Sequence, residues 1–417
     1  MSKKVVITGI GTVNPIGLTV PETWNNLLAG KSGIARIQAF DPVEWGLESQ
    51  IAGEVKNFDP SVYIDKKEAR RLDRFSQLAL AAALEALRHA ELRLEGDLRF
   101  EVGTIIASGV GGVDTLVEQA CILRDNGARR VSPFTVPMIM SNGAASLVSI
   151  KLGAWGPSFS TVSACASSAD SIGVALDMIR NGRAKAMLAG GSESAILPIC
   201  FAGFDQAHAL CSTSNDQPER ASRPFDRDRS GFVLAEGAAV LVLEEESFAR
   251  ARGAHILAEL AGYGSAADGY HVTAPQPEGR AAVRAIEVAL ADAHAGKGDV
   301  SYINAHGTST QLNDRVETLT IKKVFGEAAA RIPISSTKSM TGHLGGAAGA
   351  LEALICTKAV ETGWAPPTIN YDNRDPECDL DYVPWHARQI SDGVVLSNSF
   401  GFGGHSSCLA FRKYGEQ

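Results

Sequence analysis

Apolar residues recur along the chain in two alternating patterns. Short runs rich in β-branched residues, such as VVITGIG from residue 5 and TIIASG from residue 104, predict buried strands. Residues 74–92 (RFSQLALAAALEALRHAEL) and 169–182 (ADSIGVALDMIRNG) carry apolar side chains at helical spacing and predict helices. Strands that alternate with Ala-rich helices are typical of an α/β protein with buried sheets.

The order of these elements is repeated. Four segments of the first part resemble four of the second in the same order: KVVITGIGTV and LAELAGYGSA, EVGTIIASGVGG and VSYINAHGTST, FSTVSACASSADSIG and PISSTKSMTGHLGG, AKAMLAGGSESA and GVVLSNSFGFGGHSS. We therefore predict two α/β halves, residues 1–255 and 256–417, with chance similarity between small-residue segments as the alternative. In such a duplication, equivalent loops meet across a pseudo-twofold axis.

Composition narrows the class of protein. The 417 residues are 45% hydrophobic and 21% charged, and the net charge is −8, which indicates a soluble globular protein and argues against nucleic-acid binding. No apolar run approaches the length of a membrane span, and the basic start lacks a signal-peptide cleavage pattern. The seven cysteines form no C-x-x-C pair, so we expect reduced thiols and a cytoplasmic protein.

Three loops carry candidate chemistry. Cys165, in VSACASS, directly precedes a predicted helix, whose N-terminus favours a thiolate; a small buried cysteine is the other interpretation. His306 in NAHGTST and His343 in TKSMTGH occupy small-residue loops of the second predicted repeat, each matched to a loop of the first, and imidazoles exchange protons near neutrality. Lys338 lies five residues before His343 and is predicted to add positive charge to the same pocket.

A fourth loop is SNSFGFGG, residues 397–404. Its glycines permit backbone geometries that can aim an amide N–H at an oxyanion. Phe400 and Phe402 are predicted to wall or gate an apolar cavity, whereas a glycine-rich turn with core aromatics is the alternative.

In combination, VSACASS, NAHGTST, STKSMTGHLGGAAGALE and SNSFGFGG closely resemble the elongating β-ketoacyl-[acyl-carrier-protein] synthases of type II fatty-acid synthesis, members of the thiolase superfamily. The resemblance spans nearly the whole chain. It implies a thiolase-like duplicated α/β fold, a layered αβαβα core with two mixed sheets. It also implies decarboxylative Claisen condensation with malonyl-carrier protein, giving a β-ketoacyl product two carbons longer plus CO2. An acyl carrier protein as partner, a homodimer and no required cofactor are expected.

The resemblance assigns roles to residues of this chain. Cys165 is the nucleophile that takes the acyl chain, and its amide and that of Phe402 form an oxyanion hole. His306 and His343 stabilise the enolate left by loss of CO2, supported by Lys338. A structural monovalent cation is a further expectation, at the positions Asn304, Glu317, Glu352 and Ser397, with a buried salt-bridge network around Lys338 as the alternative.

Carrier docking and the acyl pocket are also expected from the family. The spacing of four basic residues predicts one face of a helix, and the resemblance implies that an acidic carrier docks there, helped by two further arginines. The docking residues are Lys67, Arg70, Arg71, Arg74, Arg129 and Arg130. The acyl pocket is expected to be lined by Val110, Phe204 and Phe402, with Phe134 contributed by the partner subunit.

The chain departs from its relatives at three places. Asp170 stands where many relatives have His, His208 where some have a docking Arg, and His405–Ser406 where Thr-Asn is more common. Chain-length preference and carrier affinity therefore stay open. So do three alternatives: a ketosynthase of a polyketide or specialised lipid pathway, a non-catalytic chain-length partner, which usually lacks the nucleophile, and a cysteine-dependent hydrolase.

Overall fold

The computed structural model describes residues 3–415, which form a ten-stranded mixed sheet, two two-stranded sheets and thirteen α-helices. The strands are β1 (Val5–Val13), β2 (Ala35–Arg36), β3 (Ile51–Ala52), β4 (Val102–Ala107), β5 (Ser158–Phe159), β6 (Ala186–Glu193), β7 (Gly237–Glu245), β8 (Ala258–Ala267), β9 (Val300–Asn304), β10 (Ile334–Ser335), β11 (Trp364–Ala365), β12 (Arg388–Gln389), β13 (Val394–Gly401) and β14 (His405–Arg412). The helices are α1 (Val20–Leu28), α2 (Lys66–Ala69), α3 (Arg74–His89), α4 (Val113–Asn126), α5 (Thr135–Ile139), α6 (Gly143–Leu152), α7 (Ser167–Arg180), α8 (Pro198–Gln206), α9 (Glu246–Ala251), α10 (Arg280–Asp292), α11 (Gln311–Phe325), α12 (Lys338–Thr341) and α13 (Ala348–Thr362).

The order of the large sheet is symmetric about its centre. From the middle outward, one half runs β1-β7-β6-β4-β5 and the other runs β8-β14-β13-β9-β10, so equivalent strands occupy equivalent places. This confirms the predicted duplication. The two predicted mixed sheets are joined at their first strands, because Val6 pairs with Glu259 and Ile7 with Ala258. They therefore form one continuous sheet of ten strands.

Helices cover the sheet in layers. Helices α7 and α13 pack at the centre against strands of both halves, in one buried core that includes Ile172, Leu354 and Leu241. Helices α3 and α6 close the outer face of the first half, and α10 and α11 close that of the second. The predicted αβαβα layering is confirmed, and the central helices are the element that both halves share.

In each half, a glycine at an equivalent position of the first strand lets a helix pack closely on the sheet. A Cβ on Gly9 would lie 2.2 Å from the carbonyl oxygen of Ala86 in α3. A Cβ on Gly262 would lie 2.3 Å from the carbonyl oxygen of Ala289 in α10. Helix and strand therefore approach so closely that only glycine on the strand and small residues on the helix fit. This contact explains why KVVITGIGTV resembles LAELAGYGSA.

The elements predicted from periodicity lie where expected. The runs beginning at residues 5 and 104 belong to β1 and β4, and residues 74–92 and 169–182 coincide with α3 and α7 within three residues at each end. Strand β1 is buried along its whole length, as expected for a central strand covered on both faces. Among residues 3–415, no helix is both long and apolar enough to cross a lipid bilayer.

Candidate active site

Cys165 lies in a strained turn immediately before α7. The preceding residue, Ala164, has φ of +52°, a conformation that residues with a side chain rarely adopt. The hydroxyl of Ser167 holds this turn on both sides: it donates to the carbonyl oxygen of Ala164 at 2.6 Å and accepts from the amide of Ser163 at 2.8 Å. The surrounding hydrogen bonds therefore over-determine the turn that carries the thiol.

Both predicted histidines converge on this thiol from the second half of the chain. The Nε2 atom of His343 lies 3.0 Å from Cys165 Sγ. The ring of His306, which follows β9, meets the ring of His343 edge to face with centroids 5.4 Å apart. One atom from each of the three side chains lies within 4.8 Å of the other two. The duplication thus brings to Cys165 two histidines that lie 141 and 178 residues after it along the chain.

Lys338 orients His306 through contacts with its backbone carbonyl and its ring. Its Nζ donates to the His306 carbonyl oxygen at 2.7 Å and lies 3.4 Å from His306 Nδ1. Because an ammonium group can only donate, Nδ1 accepts, and the ring proton of His306 resides on Nε2. Lys338 also forms a buried ion pair with Glu352. The lysine is therefore a support of the site, beneath the imidazoles.

Burial keeps the imidazoles neutral. It lowers the pKa of His306 and His343 well below the ordinary value of 6.5, and the positive charge of Lys338 lowers both further. Neutral imidazoles near pH 7 can donate a hydrogen bond without carrying a charge. The site is thus suited to stabilising a developing anion on a substrate.

The resting thiol differs from the expectation of a thiolate. Burial raises the pKa of Cys165 from 9.0 to about 11, although Lys338 and the backbone N–H of Phe402 each lower it. The helix N-terminus, on which the expectation rested, is too weak to outweigh the loss of water around sulfur. The expectation of a preformed thiolate is therefore wrong, and the thiol keeps its proton at neutral pH.

The SNSFGFGG loop packs directly on the nucleophile turn. A Cβ on Gly401 would lie 2.7 Å from the Ser163 carbonyl oxygen, so this contact requires glycine. The next residue, Phe402, directs its backbone N–H to the Cys165 sulfur. Phe402 is about one-third exposed at the mouth of the cavity, and the Phe400 ring lies 5.8 Å from that of His306.

Cys165 opens onto a cavity of about 780 Å³ whose lining is mostly apolar. Of the predicted pocket residues, Val110, Phe204 and Phe402 line it. Phe134 of the same chain lies at the surface, with its ring centroid 4.7 Å from the Arg71 guanidinium carbon, and the contribution of Phe134 from the partner subunit stays a prediction. The sequence analysis did not predict six further lining residues: Ile199, Cys200, Gly203, Ala207, Thr308 and Thr310. The small-residue spacing in ICFAGFDQA and the hydroxyl groups of NAHGTST were the available signals.

Glu193 is a second omission. Its buried carboxylate accepts hydrogen bonds from the amides of Gly109, Val110 and Gly346 and from the hydroxyl of Ser108. It therefore joins the loop after β4 to the loop that carries His343. A Cβ on Gly346 would lie 2.9 Å from this carboxylate, so the paired glycines of GVGG and HLGG were the available signal.

The predicted basic helix face is wrong in its geometry. Helix α2 ends at Ala69 and α3 begins at Arg74, because the Asp73 carboxylate accepts the Phe75 N–H and caps a new helix. Arg74 turns inward, where Nε and Nη2 each lie 2.7 Å from the carboxylate of Glu236. It therefore fastens α3 to the interior instead of facing a partner. The remaining predicted docking residues are exposed: Lys67, Arg70, Arg71, Arg129 and Arg130.

The predicted cation residues form a buried polar cluster below Lys338. Asn304 pairs with Ser397 across β9 and β13, and Glu317 accepts the amides of His306 and Gly307. Burial raises the pKa of Glu317 and of Glu352 to about 7. The Asn304 Oδ1 and Glu352 Oε2 atoms find no hydrogen-bond partner among the described residues. Unpartnered buried oxygens fit a hard cation.

A thiol, two neutral imidazoles and a backbone N–H at one end of an apolar cavity are typical of enzymes that transfer acyl groups through a thioester. The sequence matches the family models for the β-ketoacyl synthase N-terminal domain over residues 2–249 and C-terminal domain over residues 257–372. The chain belongs to the β-ketoacyl synthase family.

Relatives agree over the full length. The chain is 50% identical to a 3-oxoacyl-[acyl-carrier-protein] synthase 2 of Synechocystis, over 99% of this chain and 98% of the relative. It is 47% identical to the enzyme of that name from Staphylococcus aureus, over 99% of both.

Solved structures show the same fold. A β-ketoacyl synthase from Burkholderia phymatum superposes with a TM-score of 0.91 at 36% identity and 99% coverage of both chains. A chain from the complex of a type II polyketide acyl-carrier protein with its ketosynthase bound to the hexaketide has a TM-score of 0.91 at 36% identity, covering 99% of this chain and 100% of that one.

Proposed function

We propose that Cys165 takes an acyl chain from an acyl carrier protein and that His306 and His343 prepare the malonyl unit that extends it. Family membership and the relatives make the chain a condensing acyltransferase of fatty-acid synthesis, which yields β-ketoacyl-[acyl-carrier-protein]. The observation that carries the residue roles is the 3.0 Å contact between Cys165 Sγ and the neutral His343 at the inner end of the apolar cavity.

In the first half-reaction, sulfur attacks the carbonyl carbon of the acyl thioester. The thiol is neutral at rest, so its proton moves to His343 Nε2 as the C–S bond forms. The oxyanion is stabilised by the N–H groups of Cys165 and Phe402. The carrier thiolate then leaves and takes the proton from His343, which gives an acyl-Cys165 thioester and a free carrier thiol.

In the second half-reaction, malonyl-carrier protein occupies the same cavity. His343 first exchanges its ring proton from Nδ1 to Nε2 through solvent. The Nε2–H groups of His306 and His343 then donate to the malonyl thioester oxygen, so breaking the bond to the carboxylate releases CO2 and leaves an enolate whose negative oxygen those donors stabilise. The enolate carbon attacks the acyl carbon on Cys165, a C–C bond forms, and the Cys165 thiolate leaves and takes a proton from solvent. The product is two carbons longer.

A fatty-acid role is favoured over a polyketide role by the relatives. Identity is 47–50% with the 3-oxoacyl-[acyl-carrier-protein] synthases and 36% with the matched chain of the type II polyketide complex. A non-catalytic partner role is disfavoured because Cys165 is present and lies within reach of His343.

Intact-mass spectrometry tests the residue roles. The protein is incubated with a medium-chain acyl-carrier protein, and malonyl-carrier protein is added afterwards. We expect an acyl adduct in the native chain, none in Cys165→Ala, and transfer of the adduct into a β-ketoacyl carrier two carbons longer. An adduct that persists in Cys165→Ala, or CO2 release without any adduct in the native chain, contradicts the proposal.

Carrier docking is proposed on the exposed basic residues, without Arg74. Acidic carriers need local positive charge on an enzyme whose net charge is −8. We expect Arg70→Ala with Arg71→Ala to raise the KM for carrier substrates and leave kcat nearly unchanged. Arg284→Ala, an exposed residue of α10, is the matched control. Equal KM values in the two variants would remove this surface from the proposal.

No cofactor is required by the proposed steps, and a structural monovalent cation is proposed at Asn304, Glu317, Glu352 and Ser397. A bound cation would offset the negative charge of the two carboxylates beneath Lys338. We expect KCl to raise the melting temperature above that in choline chloride at equal ionic strength, and Asn304→Ala to lose the difference. A native chain that melts at the same temperature in both salts contradicts the site.

We further propose a homodimer in the cytoplasm. Large apolar side chains are exposed on α4, on α5 and its C-cap, and on the segment after β5, the outermost strand of the first half, which favours a covered surface. They include Leu116, Leu123, Val136, Met140 and Val162. All seven cysteines are free thiols, as in a reducing compartment. Light scattering that gives a monomer mass refutes the dimer, and cell fractionation tests the location.

A further inference from the structure

Asp170 gathers three hydroxyl groups from three parts of the chain. It lies in the first turn of α7, five residues after Cys165. Its Oδ2 accepts from Ser163, and its Oδ1 accepts from Tyr263 at 2.7 Å and from Ser407. Ser163 belongs to the nucleophile turn, whereas the other two donors lie on β8 and β14 of the second half. One carboxylate therefore connects the nucleophile turn to the opposite half of the molecule.

The contact with Tyr263 is built into the central helix. A Cβ on Gly173, one turn after Asp170, would lie 2.4 Å from the Tyr263 ring. Only glycine lets this ring lie against α7 so that its hydroxyl reaches the carboxylate. A glycine inside a helix costs about 0.5–1 kcal/mol of stability relative to alanine. The contact with the Tyr263 ring explains why the helix has glycine at this position. Burial and Asp170 both raise the pKa of Tyr263, so its hydroxyl stays a donor.

The same carboxylate also holds the strand that follows the SNSFGFGG loop. Ser407 lies two residues after the start of β14 and pairs with Ser399 of β13. These two strands flank the turn that carries the Phe402 N–H. Ser163, which also binds Asp170, packs against the same turn: a Cβ on Gly401 would lie 2.7 Å from the Ser163 carbonyl oxygen. Asp170 thus fixes both partners of the contact between the Phe402 N–H and the Cys165 sulfur.

We propose that Asp170 is a positioning residue for acyl transfer: by binding Ser163, Tyr263 and Ser407 together, it sets the relation of the thiol to the Phe402 N–H. It contacts neither substrate nor the reacting sulfur. The inference rests on the proposed function, because it assigns Asp170 to the first half-reaction. The enolate-forming pair, His306 and His343, has no contact with Asp170 among the hydrogen bonds of the described residues.

Asp170→Asn tests this assignment, because it keeps the shape of the side chain and replaces one accepting oxygen by a donating NH2 group. We expect the rate of acyl-enzyme formation to fall between about tenfold and a hundredfold, the usual effect of misplacing reacting groups by up to an ångström. Malonyl decarboxylation and the KM for carrier should change by less than about twofold. Asp177→Asn, an exposed carboxylate on the same helix, is the matched control.

Tyr263→Phe removes only one of the three hydroxyls and keeps the ring against Gly173, so it should fold and show a smaller fall of the same kind. Alkylation of Cys165 by iodoacetamide, read by intact mass, tests positioning without any carrier, and we expect it to slow several-fold in Asp170→Asn. Wild-type acylation rates in both variants, or equal losses of acylation and decarboxylation, overturn the inference. Slower alkylation in a protein whose native form accepts no acyl chain would instead refute the proposed function.

Discussion

Raising the pH from 7 to 9 should increase the rate at which iodoacetamide alkylates Cys165 about a hundredfold. Only the thiolate reacts, and burial raises the pKa of this thiol from 9.0 to about 11. Below its pKa, the ionised fraction of a thiol grows tenfold for each pH unit. At pH 8 about one Cys165 in a thousand is ionised, against roughly one in ten for an ordinary thiol. Cys165 should therefore react about a hundredfold more slowly than a thiol of the same exposure in a peptide.

The assay is intact-mass spectrometry after timed exposure to the reagent at half-unit pH steps. Cys165→Ala gives the background from the other six cysteines, of which Cys121 is exposed. A plot of the logarithm of the Cys165 rate against pH should be straight with a slope near one up to pH 9.5. A plateau beginning between pH 6 and 8 would refute the reasoning, since it would show that the helix N-terminus and Lys338 outweigh burial.

Three further outcomes follow from the packing and the site. Arg74→Ala leaves the buried carboxylate of Glu236 without its only positively charged partner among the described salt bridges, so the free energy of unfolding measured by urea titration should fall by roughly 2 kcal/mol; an unchanged value contradicts the anchoring role. Gly9→Ala drives a methyl group into α3 and should cost roughly 3 kcal/mol, whereas Gly298→Ala, in open space and without a positive φ, is the control. Cadmium should bind one per chain at the thiol and two imidazoles by calorimetry, and Cys165→Ser should abolish that binding.

The sequence was sufficient to predict which chemical groups meet. Repeat matching placed VSACASS and TKSMTGH at equivalent loops of the two halves, and Cys165 and His343 are in contact in the structure. Equivalent loops meet because the strand order of each half is the same, so a local pattern carried three-dimensional information. The limits of α3 and α7 were predicted from a different signal, the spacing of apolar residues, because that spacing shows which face of a helix is buried.

What the sequence could not supply depends on contacts between distant residues. The pKa of Cys165 follows from burial by both halves, which no local pattern measures. Arg74 lies 162 residues from Glu236, so its spacing on a supposed helix face was misleading. The helix break, in contrast, had a local signal, since Asp73 is a common N-cap residue and precedes the apolar run of α3.

The joint between the two halves has a consequence for how the molecule works. Strands β1 and β8 share only two residue pairs, yet the thiol belongs to one half and both imidazoles to the other. If either half unfolds, even briefly, the Cys165 sulfur is separated from its proton acceptor His343, and the molecule cannot carry out acyl transfer. Acyl loading is thereby restricted to fully assembled molecules, so a partly unfolded copy cannot trap a carrier's cargo in a dead-end thioester.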